Sequence, residues 1–247
     1  MTSPGPIAFT LLGFDIRWYG VLIATGAILA ILISCRRAPL HGMNQDQVLD
    51  IAVWSLPFGI LGARLYYVIF NWNMYGGNLF AMLNIRAGGL AIHGGLILGI
   101  ATAYIVCRKH HIKFIEATDL ILPSVALAQA IGRWGNFFNS EAHGCETTLP
   151  WAILVDGKYV HPPVLYESIW CVIIFFTLLL IDRNRKFAGQ ITCLYGMMYS
   201  LERFFVEALR TDSLMIGPLK QAQVISVCIF GASALLYCIL HKKSQAK

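Results

Sequence analysis

The feature that most constrains the fold is a series of long apolar runs along the chain. Seven are long enough to cross a hydrocarbon core of about 30 Å, and they lie at residues 16–34, 48–70, 90–107, 117–138, 164–181, 188–208 and 221–240. Only 13% of the 247 residues are charged, whereas about a quarter are charged in a typical soluble domain. The sequence therefore predicts an all-α, polytopic integral membrane protein with seven transmembrane helices.

The basic residues predict how these helices are oriented. Of the 19 lysines and arginines, most follow the first, third, fifth and seventh runs, as at Arg36, Arg108, Arg183 and Lys242. Because cytoplasmic loops carry an excess of lysine and arginine, we expect the N-terminus outside and the C-terminus in the cytoplasm. The opening residues lack a basic region and run into a span, which is not typical of a removable signal peptide. Since the connections are short, we expect one transmembrane domain over 1–247 with a compact outer segment near 139–163.

Four arginines lie inside or at the rims of the apolar runs, at Arg17, Arg64, Arg133 and Arg203. An arginine in mid-membrane costs about 2.5 to 3.5 kcal/mol on insertion scales, so such residues usually face a helix bundle or a wet cavity. A rise of about 1.5 Å per residue places the last three roughly 22 to 24 Å above the inner boundary. We interpret Arg64 as a structural staple between spans, and Arg133 and Arg203 as candidate site residues.

Further polar residues are expected at the same level. Tyr19, His93, His161 and Glu167 lie near the starts of inward-running spans. In the sixth run, residues at i, i+4, i+8 and i+11 share one helical face and can form ion pairs; they are Tyr199, Arg203, Glu207 and Arg210. The sequence therefore predicts a polar layer in the outer third of the bilayer.

Each of these residues also has a structural interpretation. In the structural interpretation, Arg203 and Glu207 form an ion pair within one helix that serves only to satisfy both charges. His93 is, in the same way, a hydrogen-bonded core histidine. The glycines near His93 either permit close helix packing or let a substrate approach the backbone; they are Gly88, Gly89, Gly94 and Gly95. His161 and Glu167 are interpreted as structural, and Glu202 has no assigned role.

The stretch GRWGNFFNSEAHG at 132–144 is the most specific signal. Gly135, Asn136 and Asn139 supply residues suited to a turn, while Arg133 and Glu141 place charge around it at membrane depth. Two fixed guanidiniums bind phosphate well, since each donates paired hydrogen bonds, and a histidine can take a proton from a nucleophile. These residues indicate displacement chemistry on a phospholipid.

This stretch resembles the signature segment of the prolipoprotein diacylglyceryl transferase family. Four more stretches are similar to that family's motifs, in the expected order: RWYG at 17–20, AIHGGL at 91–96, HPPVLYE at 161–167 and YSLERFFVEALRTD at 199–212. The resemblance covers nearly the whole chain. One such motif alone is weak evidence for the family, but five motifs in the family's order are specific evidence.

The resemblance implies a reaction and a location. The family moves the diacylglyceryl group of phosphatidylglycerol to the lipobox cysteine thiol in the signal peptide of a preprolipoprotein, forming a thioether and releasing glycerol phosphate. The implied location is a bacterial plasma or inner membrane, with the active site toward the outer leaflet and membrane lipids as neighbours. No cofactor, no metal and no nucleic acid partner is expected.

The resemblance also implies which residues form the site. His93 is the candidate base, and Arg133 and Arg203 hold the phosphate. Glu141 and Glu207 are expected to orient the arginines, and the remaining substrate-binding candidates are Tyr19, Asn136, Asn139, Gly144 and Tyr199.

The main alternative is an anion or lipid transporter, because intramembrane arginines also line anion pathways. A transporter predicts polar residues through the full depth of the bundle, whereas the inner halves of these runs are almost wholly apolar. An intramembrane protease is disfavoured because neither a GxSxG motif nor a pair of aspartates at shared depth is present.

Overall fold

The computed structural model describes residues 3–85, 88–211 and 213–245. Asp212, at the end of the YSLERFFVEALRTD stretch, lies outside them. Within these ranges the α-helices are α1 (Trp18–Arg37), α2 (Gln45–Phe70), α3 (Leu79–Leu83), α4 (Ile92–Lys109), α5 (Phe114–Phe138), α6 (Pro163–Asp182), α7 (Gln190–Leu209) and α8 (Gln221–Gln245). The strands form three small antiparallel hairpins: β1 with β2 (Ile7–Leu11, Phe14–Arg17), β3 with β4 (Ile153–Val155, Lys158–Val160) and β5 with β6 (Met215–Ile216, Leu219–Lys220). The predicted helical fold class is confirmed.

Among the described residues, five helical segments are long and apolar enough to cross a membrane: Trp18–His41, Gln45–Phe70, Phe114–Phe138, Pro163–Asp182 and Gln221–Gln245. This composition is that of a multi-pass membrane protein. Helices α4 and α7 are also long, but α4 ends in two basic residues and α7 carries Glu202, Arg203 and Glu207. The count of seven spans therefore stays a prediction.

The chain, expected to form one transmembrane domain, groups into two compact units: Met1–Ile33 with Thr118–Lys247, and Ser34–Ala117. In the second unit α2 and α4 approach closely, because Gly62 and Gly94 face each other. A Cβ atom on Gly94 would lie 2.2 Å from the carbonyl oxygen of Gly62. The helix-packing interpretation of Gly94 is confirmed.

Arg64 acts as a staple within this second unit. Its side chain is buried, and its Nε and Nη2 donate to the carbonyl oxygens of Met82 and Ala81, both at 2.7 Å. Its Nη1 donates to Gly88 (2.6 Å) and Gly89 (3.0 Å). Arg64 is thus a structural staple, but it ties α2 to the short helix α3 and the loop after it, not one long span to another.

The first unit has a core in which α5, α6 and α7 meet. Its buried members are Ala126, Ile174, Phe175, Leu178 and Ile191. Helix α1 packs on α5 through a small residue, since a Cβ on Gly26 would lie 3.1 Å from the backbone of Ala128.

Several helix ends of this first unit lie together. The Gly144 N–H donates to the His161 carbonyl (3.1 Å), and the Cys145 N–H donates to the Leu209 carbonyl (2.8 Å). Lys220, just before α8, donates through Nζ to the Glu207 carbonyl (2.8 Å). The C-terminal ends of α5 and α7 and the N-terminal ends of α6 and α8 therefore meet, and we call this the site end of the unit.

At the other end of α5 and α7, Asp119 joins the two helices. This fully buried residue accepts hydrogen bonds from the backbone N–H groups of Gly189 (2.6 Å) and Thr192 (2.8 Å) and from the Thr192 hydroxyl (2.6 Å). Its carboxylate also pairs with Arg185 at 3.0 Å. A carboxylate at a helix N-terminus satisfies free N–H groups and complements the helix dipole.

Candidate functional site

Two arginines from different helices share one buried carboxylate. Glu167, on the second turn of α6, has a side chain only 1% exposed. Its Oε2 lies 2.9 Å from Nε of Arg133 on α5, and its Oε1 lies 2.5 Å from Nη1 of Arg203 on α7. The two arginine side chains are about one-fifth exposed. Charge-assisted hydrogen bonds of this kind are strong and directional, so they fix both guanidiniums beside each other.

A second carboxylate holds Arg203 from its own helix. Glu207 Oε2 lies 2.7 Å from Nη2 of Arg203, in the i,i+4 arrangement expected from the sequence. The same oxygen lies 4.0 Å from Nε of Arg210. Arg203 is thereby held between α6 and its own helix.

Tyr199 completes this cluster. Its hydroxyl accepts a hydrogen bond from Nη2 of Arg133 at 3.3 Å, and its ring stacks on that of Tyr195 with centroids 5.8 Å apart. Tyr195 in turn donates to Gln129 on α5 at 2.8 Å. The structure thus brings Arg133, Arg203, Tyr199 and Glu207 together, as the sequence predicted.

Glu202 is a buried acidic residue of α7. Neither of its carboxylate oxygens has a hydrogen-bond partner within the described part of the chain. Nothing in the structure explains the choice of a carboxylate here.

The signature stretch is helical for longer than its turn-forming residues suggested. Helix α5 continues to Phe138, so Gly135 and Asn136 are helical, and the positive φ angles come later, at Ser140 (56°) and Ala142 (60°). Gly135 is needed for close contact instead, because a Cβ there would lie 2.5 Å from the ring of Tyr19. Tyr19 therefore lies against the signature stretch, while its side chain remains 43% exposed.

The turn after α5 holds two more candidates, Asn139 and Glu141, and a third, Asn136, lies near the end of the helix. Asn139 Nδ2 donates to Glu141 Oε1 at 3.4 Å, and the Glu141 N–H donates to the Asn136 carbonyl at 2.9 Å. Glu141 is exposed, so the role of orienting Arg133 falls to Glu167. Local spacing misses Glu167 because its partners are on other helices. The available signal was an acidic residue near the start of the apolar α6, far from the polar end of that helix at Asp182.

Gly144 lies where two chain segments touch at the site end. A Cβ on it would lie 2.6 Å from Cβ and 3.0 Å from the carbonyl oxygen of His161. His161 is itself fixed, since its Nδ1 lies 3.0 Å from the Tyr166 hydroxyl. The glycine therefore permits this backbone contact, and the interpretation of His161 as structural is in keeping with these bonds.

His93 lies in the other compact unit, near the start of α4. Its side chain is exposed, and its ring centroid is 6.0 Å from that of Tyr66. Its role as a base stays a prediction. Within the described ranges, no three His, Cys, Asp or Glu side chains group as metal ligands.

Comparison with known proteins identifies the family. The model described as prolipoprotein diacylglyceryl transferase matches residues 6–239. The chain is 51% identical over 239 residues to the phosphatidylglycerol–prolipoprotein diacylglyceryl transferase of Clostridioides difficile, covering 97% of this chain and 96% of the relative. Enzymes of the same name from Finegoldia magna (49% over 242 residues; 98% and 97% covered) and Clostridium novyi (46% over 254 residues; 98% and 99%) are also similar. The chain belongs to the prolipoprotein diacylglyceryl transferase family.

Proposed function

We propose that this enzyme transfers the diacylglyceryl group of phosphatidylglycerol to the lipobox cysteine thiol of a preprolipoprotein, with Arg133 and Arg203 holding the lipid phosphate. The observation that carries the proposal is the pair of guanidiniums fixed by the shared carboxylate of Glu167. Family membership supplies the substrate class, since the relatives are named for phosphatidylglycerol and prolipoprotein.

The reaction is a displacement at carbon. The cysteine sulfur attacks the diacylglyceryl carbon that carries the phosphate oxygen, a carbon–sulfur bond forms, and the carbon–oxygen bond breaks. Its electron pair stays on the departing glycerol phosphate. The thiol, whose ordinary pKa is about 8.5, must first lose its proton, and His93 is the proposed acceptor.

The arginine pair assists because the departing phosphate gains negative charge. Donors that are already in place stabilise developing charge without the cost of reorganising water, and removing one such donor typically costs about 2.7 to 4 kcal/mol. Glu167 and Glu207 hold the guanidiniums in register and partly balance their charge. Tyr19, Asn136, Asn139, Glu141, Gly144 and Tyr199 complete the proposed substrate site.

We further propose seven spans, with the site end at the outer leaflet of the bacterial plasma or inner membrane. Helices α6 and α8 begin at the site end, and basic residues lie at or just beyond their far ends: Arg183, Arg185, Lys242 and Lys243. Because basic residues favour the cytoplasmic side, this distribution supports an outward-facing site, an outer N-terminus and a cytoplasmic C-terminus.

The test is transfer by purified enzyme from phosphatidylglycerol to a peptide that contains a lipobox cysteine. We expect mass spectrometry to show one added diacylglyceryl unit on the peptide, and Arg203→Ala to abolish that product while the protein still inserts. Arg203→Lys keeps the charge but loses the paired donors, so we expect a large loss there too. Arg183→Ala, at an exposed position, is the matched control. An unmodified peptide with the wild-type enzyme would favour the transporter alternative.

A further inference from the structure

A pocket of about 180 Å³ lies at the site end, beside the end of α5 and the start of α6. Its polar lining includes Ser140, Glu141 and His143 from the turn after α5, and Asp156 from the turn between β3 and β4. Neither His143 nor Asp156 is among the candidate site residues predicted from the sequence.

The pocket lies next to the arginine pair. Phe137, which lines it, is four residues beyond Arg133 on α5, and Val164, which also lines it, is three residues before Glu167 on α6. Both steps are about one helical turn, about 5.4 Å along the axis. The pocket lining therefore begins about one helical turn along α5 from Arg133 and about one turn along α6 from Glu167, toward the site end.

The polar lining offers hydrogen-bond acceptors. His143 Nε2 lies 2.6 Å from the carbonyl oxygen of Ser140, and a carbonyl only accepts, so Nε2 carries the proton. In the neutral ring Nδ1 is then an acceptor, and this buried atom has no partner among the residues described. The carboxylates of Glu141 and Asp156 are acceptors as well. The pocket therefore suits a ligand that presents several O–H or N–H donors.

We propose that this pocket binds the free glycerol end of the phospholipid, the part that leaves with the phosphate. The inference rests on the proposed function, in which Arg133 and Arg203 hold that phosphate. The free glycerol end extends from the phosphate by three carbons, and its two hydroxyl groups can donate to the acceptors of the lining. The pocket thus recognises the leaving group by its hydroxyls.

Two conservative variants test the lining without disturbing the chain path. Asp156 has a φ of 48°, a conformation that asparagine also tolerates, so Asp156→Asn removes the carboxylate charge and keeps the turn. His143→Gln retains an N–H donor able to reach the Ser140 carbonyl and removes the Nδ1 acceptor. The substrates are phosphatidylglycerol and phosphatidylpropanol, which lacks both hydroxyls.

We expect the wild-type enzyme to use phosphatidylglycerol with a kcat/KM about 10-fold or more above that for phosphatidylpropanol, as for the loss of a hydrogen bond to a charged group. In the double variant this preference falls to about 3-fold or less, because kcat/KM for phosphatidylglycerol drops while that for phosphatidylpropanol stays unchanged. Thermal unfolding in detergent shows whether the variant is folded.

Three results would overturn the inference. The first is equal use of both lipids by the wild-type enzyme, which needs no variant. The second is a double variant that keeps the full preference. The third is a double variant in which only KM for the peptide rises, which would assign the pocket to the peptide substrate. The proposed function fails separately, if the wild-type enzyme transfers no diacylglyceryl group from either lipid.

Discussion

Among the single residues, Glu167 fixes the positions of the Arg133 and Arg203 guanidiniums. It is almost fully buried and contacts both guanidiniums, so each arginine is fixed by a group outside its own helix. A buried carboxylate is costly unless it is paired, and this one is paired on both oxygens. The charge of Glu167 and the positions of Arg133 and Arg203 therefore depend on one another.

Replacing Glu167 by glutamine tests this dependence. The amide keeps the shape of the side chain but loses its negative charge, so we expect the rate of diacylglyceryl transfer to fall by about 10²- to 10³-fold, as when one positioned donor is lost. We also expect a lower free energy of unfolding in detergent, because breaking a buried ion pair costs about 3 to 5 kcal/mol. Steady-state kinetics and denaturation measure the two effects.

Glu146→Gln is the matched control. Glu146 pairs with Lys158 at an exposed position of the same unit, where solvent screens the ion pair and its loss should have little effect on stability. Equal losses in Glu146→Gln and Glu167→Gln would show that the shared carboxylate has no special role.

Gly144→Ala tests the backbone contact at the site end. The added methyl group would overlap His161, so we expect a loss of about 1 to 3 kcal/mol in unfolding free energy, typical of overpacking, together with reduced transfer. Gly20→Ala is the control, because a Cβ there meets nothing within 4 Å. A Gly144→Ala enzyme as stable and active as Gly20→Ala would contradict the contact.

Several site residues were predictable from the sequence, and for physical reasons. Arg133 and Arg203 are expensive inside apolar runs, and the i,i+4 rule links Arg203 with Glu207. Contacts between helices follow no such local rule, so the pairing of Glu167 with both arginines required the structure. His143 could not be predicted as a pocket residue, because its unpartnered Nδ1 results from the conformation of the turn after α5. The sequence alone does not determine the φ angles of that turn.

At the scale of elements, Asp119 is the principal connection between the far ends of α5 and α7. It accepts two backbone N–H bonds at the start of α7 and thereby sets where that helix begins. Because α7 carries Arg203 and Tyr199, the contact that Asp119 makes with the start of α7 also affects where these two side chains lie relative to α5.

Asp119→Ala should therefore destabilise the protein without touching the site directly. We expect a loss of about 3 to 5 kcal/mol, as for removal of one partner of a buried ion pair, measured by denaturant titration in mixed micelles. Asp50→Ala is the control, since Asp50 pairs with His110 and is 49% exposed. A change no larger than that of Asp50→Ala would mean that Asp119 does not hold α7.

Within the described ranges, the seven helices of 18 or more residues coincide with the seven apolar runs, because a run long enough to cross a bilayer is also long enough to form such a helix. The small elements could not be located from such runs. Helix α3 has only five residues and too little periodicity to recognise. The β3–β4 hairpin was not predicted, although Asp156 and Gly157 form the Asp-Gly pair that two-residue hairpin turns prefer. This short pattern lies between two long apolar runs, which gave much stronger signals.

At the scale of the whole molecule, the first compact unit combines an apolar helix bundle with a charged cluster near one end. The helices supply rigid positions, and the hairpins and turns at the site end supply the groups around the arginines. Such an arrangement suits an enzyme that takes a lipid from the bilayer and acts on its headgroup, because the reacting bond lies where the apolar and polar parts of the lipid meet.

In the proposed mechanism Arg133 and Arg203 together hold one phosphate group. A structure determined with phosphatidylglycerol bound would show this contact. We expect phosphate oxygens about 2.7 to 2.9 Å from guanidinium nitrogens of both arginines, the usual length of such charge-assisted bonds. A headgroup bound to only one of them, or to neither, would contradict it.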